Sequence, residues 1–93
     1  MGKQLHLIIS GDVHGVGFRF GACDRAQELG VTGWVRNNVD GTVEVIAQGD
    51  EAQLTSYLSW CEQGTAFARV EDVTILWEEP SEEYGEFCIV HSV

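Results

Sequence analysis

The sequence predicts an α+β domain: a four-stranded antiparallel sheet with two helices on one face and a short extra strand at its C-terminal end. Two observations lead there. Alternating apolar stretches each run into a helical stretch and then into another strand, so the chain reads βαβ twice. Between the halves stands Asp40-Gly41, the strongest short-range hairpin signal. A crossover between parallel strands leaves a gap beside each, and a strand of the other half fills it, giving the order 4-1-3-2. Helices confined to one side of such a sheet make an α+β sandwich.

Each element has its own signal. Lys3 to Ser10 alternates, with Leu5, Leu7 and Ile9 on one face and His6, Ile8 and Ser10 on the other. A glycine-rich loop follows. Phe18, Ala22, Ala26 and Leu29 then fall at helical spacing, and Gly30 supplies the stop. Val31 to Asn37 returns to β character, and after the hairpin Thr42 to Gln48 alternates through Val43, Val45 and Ala47. Asp50 is a good N-cap for a second helix carrying Leu54, Tyr57, Leu58 and Cys61 on one stripe, ending at Gly64. Val70 to Trp77 is a fourth strand. The acidic stretch Glu78 to Glu86, with the single proline Pro80, reads as a solvated loop before a last strand at Phe87 to His91. Taken together these elements are the ferredoxin-like arrangement. Trp34, Trp60 and Trp77 are expected as core or half-buried side chains.

Composition bounds the function. Residues 1–93 make one domain, with 44% apolar residues for a small core. The formal charge of −10 argues against nucleic acid, because Lys3, Arg19, Arg25, Arg36 and Arg69 are scattered among fifteen acids. The same charge favours a soluble monomer. Cys23, Cys61 and Cys88 show no metal-ligand spacing and read as free thiols in a reducing cytoplasm, with one disulfide among the three as the open alternative. No apolar run approaches the roughly 18 residues that a membrane span needs. No metal, cofactor or membrane partner is expected.

The loop Asp12 to Ala22 raises a specific question, since its glycines precede Arg19 at a helix start. First-turn N–H groups lack intrahelical partners and carry partial positive charge, so an anion is stabilised there even in an acidic protein. Arg19 adds a planar fork suited to phosphate oxygens. Known phosphate fingerprints do not match. Gly15, Gly17 and Gly21 are spaced one residue too long for a dinucleotide loop, and Phe18-Arg19-Phe20 lacks the Lys and hydroxyl of a P-loop. The glycines alone leave an anion site and a structural turn equally open.

Three ordered motifs add to this. His14-Gly15-Val16-Gly17-Phe18-Arg19, Gly33-Trp34-Val35-Arg36-Asn37 and Gly41-Thr42-Val43 resemble the acylphosphatase family over nearly the whole chain. The resemblance implies metal-free hydrolysis of the carboxyl–phosphate bond of a small-molecule acyl phosphate. It implies that Arg19 is the catalytic arginine, and that the backbone of His14, Gly15, Val16, Gly17, Phe18 and Arg19 binds the phosphate. Asn37 would orient the attacking water. Three features depart from the family pattern: His14 stands where Gln is usual, Asn38 replaces a frequent Thr, and Gly64-Thr65-Ala66 lacks the proline common after the second helix, which concerns loop stiffness more than catalysis. The alternative is a non-catalytic ferredoxin-like module that binds a small anion without turning it over.

Overall fold

The computed structural model describes residues 2–92. Its elements are β1 (Lys3–Asp12), α1 (Phe18–Leu29), β2 (Thr32–Asn37), β3 (Val43–Gly49), α2 (Glu51–Gln63), β4 (Arg69–Glu78) and β5 (Phe87–Ile89). The sheet order is β4-β1-β3-β2-β5, so the order expected for the first four strands is the one observed. β5 pairs in parallel with β2, which makes the five-stranded sheet mixed. The reason is geometric. β4 ends opposite Gln4, at the end of the sheet where β2 begins, so a chain re-entering beside β2 has to run in the same direction.

Alternation decides what each strand buries. Leu5, Leu7 and Ile9 of β1 are fully buried, as are Val43, Val45 and Ala47 of β3 and Val35 of β2. The helices lay Phe18, Ala22, Ala26, Leu54, Tyr57 and Cys61 on this layer. Tyr57 Oη donates to the Ala22 carbonyl at 3.1 Å, and its ring meets Phe87 edge-on at 5.7 Å, so one buried side chain joins both helices to β5. Asp50 caps α2 as expected. Its carboxylate accepts from the Gln53 N–H at 2.8 Å while Gln53 Oε1 accepts from the Asp50 N–H at 2.8 Å. Gln53 Nε2 also donates to the Leu29 carbonyl, fastening the end of α1.

Two sequence expectations differ in detail. Trp34 and Trp60 are half-buried, but Trp77 is 48% exposed. It shares a face with buried Leu5, yet it stands on the edge strand, where the neighbours on one side end. The acidic loop Glu79 to Glu86 is not wholly given over to solvent. It crosses the open face of the sheet, where Gln48 Nε2 donates to the Glu82 carbonyl and Trp34 Nε1 to Tyr84 Oη.

That open face carries a polar cluster. Glu44 accepts from His6 Nε2 at 2.5 Å and from Arg36 Nη2 at 2.9 Å, and the Arg36 guanidinium lies 4.8 Å over the Trp34 ring. Burial pushes the Glu44 carboxyl up, but the hydrogen bonds from His6 and Arg36 outweigh it and hold the group below its ordinary 4.5. A depressed carboxyl pKa stabilises the fold fully above pH 4.5 and loses that contribution as pH falls through the lower, folded value. Glu44→Gln is therefore expected to lower the melting temperature at pH 7, by an equivalent of roughly 1 kcal/mol after solvent screening. The gap to wild type should close in acid. A gap independent of pH would refute the charge-based account.

Candidate active site

Topology brings two distant chain segments to one end of the sheet. β1 and β2 are each antiparallel to β3 and so parallel to each other. Their C-terminal ends lie at the same end of the sheet with β3 between them: β1 runs into the glycine loop, and β2 stops at Asn37. Val43 pairs with both Ile9 and Asn37, so these three residues form a row on the helix-facing side. Asn37 thus sits where the core meets the loop end of the domain.

The loop is shaped by two left-handed residues, Gly15 at φ 71° and Gly17 at φ 76°. A β-carbon at either position would meet nothing within 4 Å, so it is the backbone conformation rather than crowding that calls for glycine. Gly17 is the N-cap of α1 and provides no side-chain cap, which leaves the first-turn N–H groups open to a ligand. Among the described residues, no backbone N–H from His14 to Phe20 donates to a carbonyl in a turn or loop. The Val16 carbonyl, by contrast, is engaged: Thr65 Oγ1 donates to it at 2.8 Å. In a trans peptide N–H and C=O point in opposite directions, so this bond fixes the Gly17 N–H facing away from Thr65. The loop opens on a cavity of about 240 Å³ lined by Val13, Gly15, Gly17, Phe18, Arg19 and Phe20.

Arg19 borders both this cavity and a neighbouring groove formed by Ile89, Val90, His91 and Ser92. Lys3, Arg25 and Arg36 each hold a carboxylate, whereas Arg19 makes no ion pair among the described residues. The groove runs beside the strand bearing Asn37, because the Val90 N–H donates to the Val35 carbonyl at 3.0 Å.

Asn37 is distinguished by what it lacks. Its Oδ1 is the one buried side-chain nitrogen or oxygen among the described residues without a hydrogen-bond partner. Leaving such an acceptor unsatisfied costs about 1–3 kcal/mol, a cost that is relieved where a ligand or water supplies the donor. The adjacent amide shows the contrast. Asn38 accepts from Arg36 Nε at 3.3 Å and donates to Thr42 Oγ1 at 3.0 Å. Strand alternation turns Asn38 to the open face and Asn37 to the helix face, where the glycine loop lies.

Comparison with known proteins decides the family. The acylphosphatase family model matches residues 5–89. This chain belongs to the acylphosphatase family. It is 44% identical over 88 residues to an acylphosphatase of Anaeromyxobacter sp. (strain Fw109-5), covering 95% of both chains. An acylphosphatase of Roseiflexus sp. (strain RS-1) is 46% identical over 87 residues, with 94% of each chain covered. The crystal structure of acylphosphatase from Bacillus subtilis superimposes with a TM-score of 0.92 at 35% identity, over 95% of this chain and 98% of that one. Family and fold together support acyl-phosphate hydrolysis as the enzymatic activity.

Other chemistry-bearing groups of this acylphosphatase lie apart from the loop. All three cysteines are free thiols, as expected, and none lines the loop cavity. Burial pushes the Cys61 thiol up to about 12, which keeps it protonated and inert. Among the described residues, no group of three or more His, Cys, Asp or Glu is placed to hold a metal ion, and no helix is long and apolar enough to cross a membrane. Sequence reasoning missed Thr65 as a support of the acylphosphatase loop. It sits 49 residues from Val16, and no local pattern announces so distant a contact.

Proposed function

We propose that the chain hydrolyses the carboxyl–phosphate bond of small acyl phosphates, with Arg19 and the backbone N–H groups from His14 to Arg19 binding the phosphoryl group and Asn37 orienting water. The unpartnered Oδ1 of Asn37 carries this reading, because a buried amide oxygen can accept a hydrogen bond from the attacking water. The water oxygen attacks phosphorus in line, the bond from phosphorus to the acyl oxygen breaks, and the carboxylate leaves with the electron pair. The water proton passes to a phosphoryl oxygen. A carboxylate leaves readily, so catalysis consists mainly of positioning and of stabilising charge on the equatorial oxygens. The guanidinium fork and the open N–H groups suit that task. Free thiols and the net charge of −10 support work as a monomer in the cytoplasm.

Phosphate release from acetyl phosphate tests the reading. Asn37→Ala is expected to lower kcat by about 10²-fold or more with little change in KM, because water rather than substrate loses its partner. Its melting temperature should stay within about 5 °C of wild type, since the amide removed leaves no satisfied hydrogen bond behind. Full activity in this variant would refute the water-orienting role. Anion binding without phosphate release by wild type would favour the non-catalytic module.

A further inference from the structure

His14 stands in the loop beside Gly15, and its ring reaches across to the hairpin between β2 and β3. Its Nε2 lies 2.8 Å from the Thr42 carbonyl. That oxygen can only accept, so Nε2 carries the proton, as it does both in one neutral tautomer and in the imidazolium. The Thr42 carbonyl also accepts from the Asn38 N–H at 2.8 Å, and both its lone pairs are therefore used. Thr42 is itself held in place, its N–H and Oγ1 both donating to Asp40 Oδ1, at 3.0 and 2.7 Å.

The peptide whose N–H belongs to Asn38 is the one that leaves Asn37. A single carbonyl thus links the phosphate loop, through His14, to the backbone that sets where Asn37 stands. We infer that His14 is a positioning residue, whose Nε2–H fixes the phosphate loop against the β2–β3 hairpin and so sets the water on Asn37 in line with the phosphoryl group. The inference rests on the water-orienting reading of Asn37. The backbone N–H groups of the loop bind phosphate with or without this bridge, so its loss should act on alignment rather than on binding. Displacement of a reacting group by about 1 Å can cost up to about 10²-fold in rate.

The test compares wild type, His14→Phe, His14→Gln, Asn37→Ala and the double variant His14→Phe/Asn37→Ala. Acetyl phosphate is the substrate and inorganic phosphate the competing ligand. His14→Phe keeps a ring but no donor. It should lower kcat about tenfold or more while KM, inhibition by phosphate and melting temperature stay within about twofold or a few degrees of wild type. His14→Gln places an amide N–H at similar reach and should restore most of the rate. Because His14 acts through Asn37, the double variant should be no slower than Asn37→Ala alone. Wild-type kcat in His14→Phe overturns the inference, as does failure of Gln to restore the rate or full additivity in the double variant. If Asn37→Ala is itself fully active, the underlying reading of Asn37 fails instead, and the two failures are told apart.

Discussion

Arg19→Ala is expected to lower kcat for acetyl phosphate by at least about 10²–10³-fold and to abolish competitive inhibition by inorganic phosphate. The magnitude follows from the surroundings of the residue. A chain with formal charge −10 repels anions at long range, so binding depends on local, preorganised donors. Among the described residues, Arg19 supplies the only side-chain cation lining the loop cavity, whose walls otherwise offer backbone and apolar side chains. Its loss leaves the helix N-terminus alone to hold the phosphoryl group, and that partial charge is worth only about 0.3–2 kcal/mol. Arg19→Lys should restore little, because a point charge cannot bind two oxygens in the plane of a guanidinium. Steady-state kinetics with unchanged far-ultraviolet circular dichroism is the measurement. Activity within tenfold of wild type would remove Arg19 from the chemistry.

Gly33→Ala should destabilise the fold by about 3–5 kcal/mol, by far more than an ordinary surface change. Gly33 sits at φ 137°, outside the range L side chains tolerate, and a β-carbon there would lie 1.9 Å from the Ile46 carbonyl oxygen and 2.8 Å from its carbon. The obstruction is backbone of the paired strand β3, which cannot rotate aside. Relief requires β2 to move away from β3, and the strand that moves is the one that ends at Asn37. The strained conformation alone costs about 1–3 kcal/mol, and the clash adds a comparable amount. For a domain of this size the melting temperature should fall by about 15 °C or more. A shift under about 5 °C would show that the sheet adapts, contrary to this reading.

Much of this was legible in the sequence, because the signals involved are local. Period-two alternation placed Leu5, Leu7 and Ile9 on one face, Asp50 announced a capped helix, and Asp40-Gly41 announced the hairpin. The helix-facing placement of Asn37 came with the structure, from its pairing with Val43 opposite Ile9. Strand ends were less sharp. β5 stops at Ile89 rather than His91, and its direction became readable only from where β4 finishes. Trp77 shows the limit from another side: its alternation is that of a core residue, but burial depends on whether a neighbouring element extends over the edge of the sheet.

The sequence by itself determined the elements, their strand order and the family, along with Arg19 and Asn37 as the residues to examine. Each of these follows from short-range periodicity, turn chemistry or ordered motifs. Only the tertiary structure decided how the glycine loop is held: Thr65 on the Val16 carbonyl, and His14 on the Thr42 carbonyl, across 49 and 28 residues of chain. It also decided that the Asn37 oxygen is buried without a partner among the described residues, while the Asn38 amide oxygen and nitrogen each have one. A hydrogen bond between segments far apart in the chain depends on the packing of every element between them, and no pattern within either segment encodes it.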